Sequence, residues 1–195
     1  ISKILGTDHN EIIFEKQDIT KLVYSLGDVW DEPFSDISQI PTLLVSKVAK
    51  GQVKVALSGD GGDELFCGYN RYLKGFEFYK LSKNKFIKEI YKKIDNNQFF
   101  LNFLNSKNRD RFEKLLSAIH SRNLEEYYKN IVEVFNRNEN MVSNQNFLKN
   151  QLLDIQKSFY FKSDEEKLMY FDLMSYLPDD ILTKVDRASM SVGLE

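Results

Sequence analysis

Residues 58 to 64 read Ser58-Gly59-Asp60-Gly61-Gly62-Asp63-Glu64. Gly59, Gly61 and Gly62 let backbone N–H groups approach an anion closely, and a helix starting after them would add a positive partial charge. Three carboxylates in the same stretch, Asp60, Asp63 and Glu64, are out of place beside a bare phosphate. They suit a phosphate bound together with Mg²⁺, because hard cations take carboxylate oxygens. The turn therefore points to nucleotide phosphates plus a divalent metal. Other readings fail on spacing. The pattern G-x-G-x-x-G would need glycine where Glu64 stands, and an EF-hand loop would need oxygen ligands where Leu65-Phe66-Cys67-Gly68 stands. A tight turn with acidic helix-capping residues accounts for the same residue types, and these alone leave both readings open.

A second stretch runs from Leu177-Pro178-Asp179-Asp180 to Lys184-Val185-Asp186-Arg187. Lys184 and Arg187 stand three apart and share a helix face. Two cations so placed can hold phosphates or stabilise a developing oxyanion. The plainer reading is a solvated face pairing with Asp180 and Asp186. Cys67 reads as a packed thiol, His9 as a loop residue and His120 as a surface or core residue. The run Lys80, Lys83, Lys85, Lys88, Lys92, Lys93, broken by Glu89 and aliphatics, reads as a solvated amphipathic face rather than a nucleic-acid surface.

These residues need elements to position them. Ile1 to Leu5 reads as a last helical turn closed by Gly6. Asn10 to Phe14 reads as a short strand. Asp18 is placed to cap a helix carrying Leu22, Val23 and Leu26. Pro33 makes 30–34 a loop. Ile40, Leu43, Leu44 and Val48 recur at helical spacing, with Pro41 in the first turn and Gly51 at the end. Val53 to Leu57 is short, apolar and bounded by Gly51 and Gly59, which suits a buried parallel strand ending at the Gly-rich turn. From Tyr69 to Tyr176 the strand signals disappear and about five helices are expected. Their core candidates are Phe76/Tyr79 with the Lys80 stem, Phe86/Ile90, Phe112/Leu115/Leu116, Tyr127/Ile131/Val134 and Leu168/Phe171/Leu173. Asn136 to Asn146 reads as a loop. Asp164, with Glu165 and Glu166, starts a helix with charges matched to its dipole, and Pro178-Asp179-Asp180 starts the last one.

Composition narrows the class. Of 195 residues, 42% are hydrophobic and 13% aromatic, against nine glycines and three prolines, so the chain is neither disordered nor collagen-like. The 27 basic and 29 acidic residues leave a net charge of −2. A bulk electrostatic drive toward nucleic acid or membrane is thus excluded, and neither is expected as a partner. A single cysteine excludes an internal disulfide framework and points to a reducing compartment, hence a cytoplasmic protein. With only two histidines, a structural zinc site is not expected. No apolar run reaches the roughly 20 residues that span a bilayer. The chain opens on Ile1 inside what reads as a helix end and closes on Glu195 without a stop signal, so it reads as cut at both ends.

Val55 through Ser58-Gly59-Asp60-Gly61-Gly62-Asp63-Glu64 to Tyr69 resembles a signature of the glutamine-dependent asparagine synthetases. Asp31-Glu32-Pro33-Phe34-Ser35-Asp36 with Ile40-Pro41-Thr42 resembles the segment before it. Leu177-Pro178-Asp179-Asp180 through Lys184-Val185-Asp186-Arg187 to Leu194-Glu195 resembles the segment after it, and Gly6-Thr7-Asp8-His9 also fits. The segments occur in family order and together span nearly the whole chain, while roughly 75–165 adds little.

The resemblance implies an α/β fold, helix-rich overall: part of an adenine nucleotide α-hydrolase-like parallel sheet followed by a mostly helical region. The chain would be a single partial synthetase domain, with 1–69 as the nucleotide-binding part and 70–195 as the helical part. The implied activity is ATP-dependent amidation of aspartate through a β-aspartyl-adenylate. Mg²⁺ and ATP are the implied cofactors, a glutaminase domain of the same parent chain the ammonia source, and a homodimer of the parent the assembly. Asp63 would bind Mg²⁺, and Ser58, Gly59, Gly61 and Gly62 would lie against the nucleotide. Asp60 takes the place of an acidic residue near the amination step. Arg187, with Lys184 as the nearby alternative, would stabilise pyrophosphate or the adenylate. Tyr69 and Asp36 are weaker candidates. The family's S-G-G-x-D-S loop and its glutaminase Cys nucleophile are not in this sequence, so the chain by itself is expected to be inactive. An acceptor carboxylate other than aspartate, on a surface polysaccharide or a peptide, and a non-catalytic binding module are the competing expectations.

Overall fold

A computed structural model describes residues 1–81, 83, 84, 86, 89, 119–132 and 159–195. The described residues are helix-rich. Their packing divides the chain into two compact units, 1–58 with 180–195, and 59–179.

The first unit is built on α4, Gln39–Lys50. The unit also contains α1 (Ser2–Leu5), α2 (Lys16–Val23), α3 (Leu26–Val29) and the late helix α9 (Thr183–Met190). Helix α4 packs chiefly against α9 and also against α2. Its apolar stripe supplies Leu43 and Leu44, which are buried with Leu22, Trp30 and Ala188. Each such large apolar side chain contributes roughly 1.5–3 kcal/mol by leaving water. Trp30 and Phe34 stack with ring centroids 6.0 Å apart, which pins the 30–34 loop onto this core. Pro41 sits in the first turn of α4 and Gly51 follows its last residue, as the sequence predicts. Gly6 closes α1 at φ 64°, with the Thr7 N–H reaching Ser2 O at 3.2 Å.

Three local expectations are corrected here. Helix α2 begins at Lys16, and Asp18 lies inside its first turn, where its carboxylate accepts the Glu15 N–H at 3.2 Å. Residues 10–14 form no strand, and Ile12 and Ile13 face solvent. Residues 53–57 are not assigned as strand either, and Leu57 is fully exposed. The physical reason is pairing: a strand exists through its neighbours, and among the described residues the ladder-like pairing of this segment is to one residue. That one is informative. The Glu195 N–H donates to Lys54 O at 2.9 Å and the Ala56 N–H donates to Glu195 O at 2.6 Å. Two bonds to one residue from either side of Val55 are the repeat of a parallel ladder. No strand is assigned among the described residues.

The second unit contains α5 (Gly62–Phe66), α6 (Asn70–Leu81), α7 (Leu124–Val132) and α8 (Asp164–Met174). Helix α8 is its hub, packing against α5, α6 and α7. Tyr72, Phe76, Tyr79, Leu124, Tyr127, Tyr128, Leu168 and Phe171 form the core, with Ile131 partly buried against it. Lys80 places Nζ 4.3 Å from the Phe76 ring centroid and 3.5 Å from Glu165 Oε1, while the side chain stays mostly in water. Ser163 caps α8 by accepting the Glu166 N–H at 3.1 Å, as the acidic first turn predicts. Phe86 is exposed rather than buried, and its N–H donates to Asn84 Oδ1 at 3.0 Å. Ile90, Phe112, Leu115, Leu116, Val134 and the 136–146 loop lie outside the described residues. Leu177–Leu182 forms a wide π-helical turn that leads into α9, so the last helix starts where Pro178 predicts but opens with looser winding. Among the described residues no helix is long and apolar enough to cross a membrane.

Candidate functional site

The Gly-rich turn closes on itself through backbone bonds. The Gly62 N–H donates to Gly59 O at 3.1 Å, and the Leu65 N–H donates to Gly61 O at 3.0 Å. Gly61 precedes α5 at φ 85°, a left-handed conformation that a side chain would strain, and a Cβ there would meet the Leu177 methyls at 3.9 Å. Helix α5 has only five residues, so the dipole expected behind the turn is small. Asp63 is exposed while Glu64, the next residue, is fully buried. Adjacent positions on a helix point about 100° apart, which sends one carboxylate to solvent and the other inward.

Gly68 gives Asp63 its room. Its N–H donates to Asp63 O at 2.9 Å, and a Cβ on Gly68 would fall 1.9 Å from Asp63 Oδ1. Cys67, between them and the core, adopts φ 58° as the only non-glycine residue with positive φ among those described. It is the C-cap of α5 and is partly buried against the core of the second unit. Burial pushes its thiol up, with the Glu165 charge adding to the shift. This is the packed thiol expected from the sequence, not an activated one.

Behind α5 the polar groups are tightly coupled. The Tyr69 hydroxyl donates to Glu64 Oε1 at 2.6 Å. Burial, then this carboxylate, raises the Tyr69 pKa well above its ordinary value. The Arg71 guanidinium lies 3.8 Å from the Tyr69 ring centroid and 4.6 Å from that of Tyr176. Arg71 Nε donates to Asp172 Oδ2 at 2.9 Å; Nη2 is 2.8 Å from the same oxygen but is not aligned for a hydrogen bond. Asp172, fully buried in α8, also accepts from the hydroxyls of Tyr72 and Tyr128. Burial disfavours the Arg71 charge, but Asp172 outweighs it and holds the guanidinium protonated.

In the first unit, Lys184 is 8% exposed and donates to Asp36 Oδ2 and Ser38 Oγ, both at 2.7 Å. Asp36 is itself preorganised by the Ser38 N–H at 2.8 Å, an Asx turn at the start of α4. Burial pushes the Asp36 carboxyl up, but the Lys184 and Ser38 hydrogen bonds outweigh it and hold the group below the usual carboxylate range. Arg187 Nη2 pairs with Asp31 Oδ2 at 2.9 Å, with both side chains largely in solvent. Lys184 and Arg187 thus pair with Asp36 and Asp31, two carboxylates that precede α4. A partly exposed pair of this kind contributes about 0–1 kcal/mol and opens readily, so Arg187 is the more available of the two cations.

Of the residues the sequence singles out, Ser58, Lys184 and Arg187 belong to the first unit, and Gly59, Asp60, Gly61, Gly62 and Asp63 to the second. Ser58 and Asp60 are exposed. Sequence reasoning overlooked Ser38, Arg71 and Asp172. An Asp-x-Ser pair before an apolar helix could have signalled Ser38. Nothing local marks Asp172, whose partners are remote in the chain.

No group of three or more His, Cys, Asp or Glu among the described residues is arranged to hold a metal alone. Two exposed carboxylates on a Gly-rich turn, Asp60 and Asp63, instead fit a cation that arrives with a polyphosphate. Mg²⁺ commonly takes one or two protein carboxylates and completes its shell with phosphates and water.

The family model for asparagine synthase matches residues 1–195, and the chain belongs to that family. Among curated relatives, a Methanocaldococcus jannaschii protein assigned as glutamine-hydrolyzing asparagine synthetase 2 is 34% identical over 192 residues, covering 94% of this chain and 35% of that protein. Glutamine-hydrolyzing asparagine synthetase 1 of Bacillus subtilis is 29% identical over 188 residues, covering 86% of this chain and 26% of the relative. The chain thus spans about a third or less of the length of these relatives. No solved structure matches it significantly.

Proposed function

We propose that this chain is the nucleotide-handling part of a synthetase domain that uses Mg²⁺-ATP to activate the side-chain carboxylate of aspartate for amidation, in the cytoplasm, with ammonia from glutamine. The observation that carries the reading is the Gly59-Asp60-Gly61-Gly62-Asp63 turn, with Asp63 exposed on it, in a chain that matches the asparagine synthase family from end to end. In this reading Ser58, Gly59, Gly61 and Gly62 present backbone to the phosphates, and Asp63 takes the Mg²⁺ that neutralises the departing pyrophosphate. Asp60 stands near the amination step. Arg187, paired with Asp31 at the surface, would stabilise the pyrophosphate or the adenylate as the family resemblance implies, while Lys184 keeps the Asp36 segment in place. The parallel pairing of Val55 with Glu195 supports 53–57 as a strand of the family's parallel sheet.

The test is aspartate-dependent pyrophosphate release by the full-length natural polypeptide that contains this chain, with glutamine or ammonia as nitrogen donor. Release that requires ATP, Mg²⁺ and aspartate together supports the reading. Release with another carboxylate and none with aspartate reassigns the acceptor, and ATP binding without any turnover reassigns the chain as a binding module.

A further inference from the structure

Arg71 and Asp172 are a charged pair in the interior of the second unit that the proposed chemistry leaves without a role. Their placement gives them one. Asp172 is fully buried and accepts from Arg71 Nε, Tyr72 and Tyr128. These residues come from α6, α7 and α8, so the carboxylate locks three helices at one point. On the other side of Arg71 is the Tyr69 ring, 3.8 Å from the guanidinium carbon. The hydroxyl of that ring ends on Glu64 of α5 at 2.6 Å. The residue before Glu64 is Asp63.

The contacts form a continuous line from α8 to the Gly-rich turn. The flat guanidinium suits its middle position, because it can hydrogen-bond a carboxylate at its edge while its face lies on an aromatic ring. A lysine ammonium can do the first and not the second with the same geometry. A core that needed only a satisfied Asp172 would be served by Tyr72, Tyr128 and an ammonium. The stack on Tyr69 is the feature that such a role leaves unexplained. Helix α5 needs this help, since five residues are too few to be stable by their own hydrogen bonds.

We propose that Arg71, fixed by Asp172, is a positioning residue for the Gly-rich turn: it fixes the Tyr69 ring, whose hydroxyl anchors Glu64 and thereby the direction of the Asp63 carboxylate. This rests on the function proposed above for its consequence in catalysis, but its structural arm does not.

The experiment uses the full-length natural polypeptide and two readouts. Amide hydrogen exchange over residues 61–68 reads the order of the turn directly. The Mg²⁺ concentration giving half-maximal ATP–pyrophosphate exchange reads the consequence for Asp63. Arg71→Lys keeps the charge beside Asp172 and loses the stack, so the fold is retained. It should raise both exchange at the 65 and 68 amides and the Mg²⁺ midpoint by about tenfold, the change carried by one desolvated cation–π contact. Tyr69→Phe, which keeps the ring and removes the bond to Glu64, should do the same, and the double variant should be no worse than either. Lys80→Met, at a charged contact of α6 with Glu165, should move neither readout. The proposal is overturned if Arg71→Lys leaves hydrogen exchange over 61–68 unchanged, or if the effects of Arg71→Lys and Tyr69→Phe multiply. If Asp63→Asn leaves ATP–pyrophosphate exchange intact, the proposed function fails, and the hydrogen-exchange arm still decides the positioning role.

Discussion

Lys184 in the first unit and Asp172 in the second each carry a charge into a packed interior, but in different company. Lys184 meets one carboxylate and one hydroxyl, and that carboxylate is held below its ordinary range by the Lys184 and Ser38 hydrogen bonds, which outweigh its burial. Asp172 is surrounded by a guanidinium and two tyrosine hydroxyls and has no exposure at all. The first arrangement fastens one loop to one helix. The second joins three helices and leads by way of Tyr69 to the Gly-rich turn. The same elementary interaction is thus used as a clasp in one unit and as a hub in the other. The sharpest attack on this contrast is to remove each charge in turn.

The largest effect is expected from Asp172→Ala. It leaves Arg71 buried without its carboxylate and should lower stability by about 3–5 kcal/mol, read from the tyrosine near-ultraviolet dichroism during urea unfolding. A loss no greater than that of an ordinary surface substitution would remove the hub from the account.

Lys184→Met is expected to be milder, about 1–3 kcal/mol, because Asp36 keeps its bonds to Ser38. Trp30 is the single tryptophan and lies in the core of the first unit, so its fluorescence reports this unit. The pH dependence sharpens the point. The folded Asp36 carboxyl titrates below its ordinary value of 3.8, so it binds its proton less readily folded than unfolded. Its contribution is therefore present in full above pH 3.8 and is lost as the pH falls through the lower folded value. Lys184→Met should flatten that acid loss, and an unchanged acid profile would contradict the clasp.

Smaller still is the effect at Cys67, held at φ 58°. Relief of the left-handed backbone, about 1–2 kcal/mol, is opposed by the greater chain entropy of glycine, about 0.5–1 kcal/mol. Cys67→Gly should therefore leave stability unchanged or slightly raised, and Cys67→Val should lower it. The reverse order would refute the assigned backbone. The smallest change in stability is expected for Arg187→Ala, under about 1 kcal/mol, although the same variant should abolish most turnover in the full-length polypeptide. Equal losses of activity for Arg187→Ala and for an exposed lysine elsewhere would cancel its proposed role.

The parts of the fold legible in the sequence are those whose causes are local. Gly6 after Leu5, Pro41 and Gly51 around α4, and Asp164 with Glu165 and Glu166 at the start of α8 each announce a helix end through the few residues beside it. The spacing of buried Phe76 and Tyr79 is likewise written in helical period. What was not legible depends on distant partners. Residues 53–57 have the composition of a buried strand, but strand pairing is a property of two segments, and among the described residues their ladder-like pairing is to Glu195. Lys184 could be placed on a helix face, but not opposite Asp36, 148 residues earlier. Asp172 looked like one more acidic residue in a helix until Arg71, Tyr72 and Tyr128 surrounded it. At the candidate site, the glycines and Asp63 were legible because their residue types are rare together. The support under them was not, because it is built from Tyr69 and Arg71, residues common in any helix.

The central claim is that Asp63 holds the metal that accompanies ATP. The direct measurement is ATP–pyrophosphate exchange by the full-length polypeptide carrying Asp63→Asn, with its fold checked by near-ultraviolet dichroism. The account expects a folded protein whose exchange has fallen to background at every Mg²⁺ concentration. A folded Asp63→Asn variant with near-wild-type exchange would contradict it.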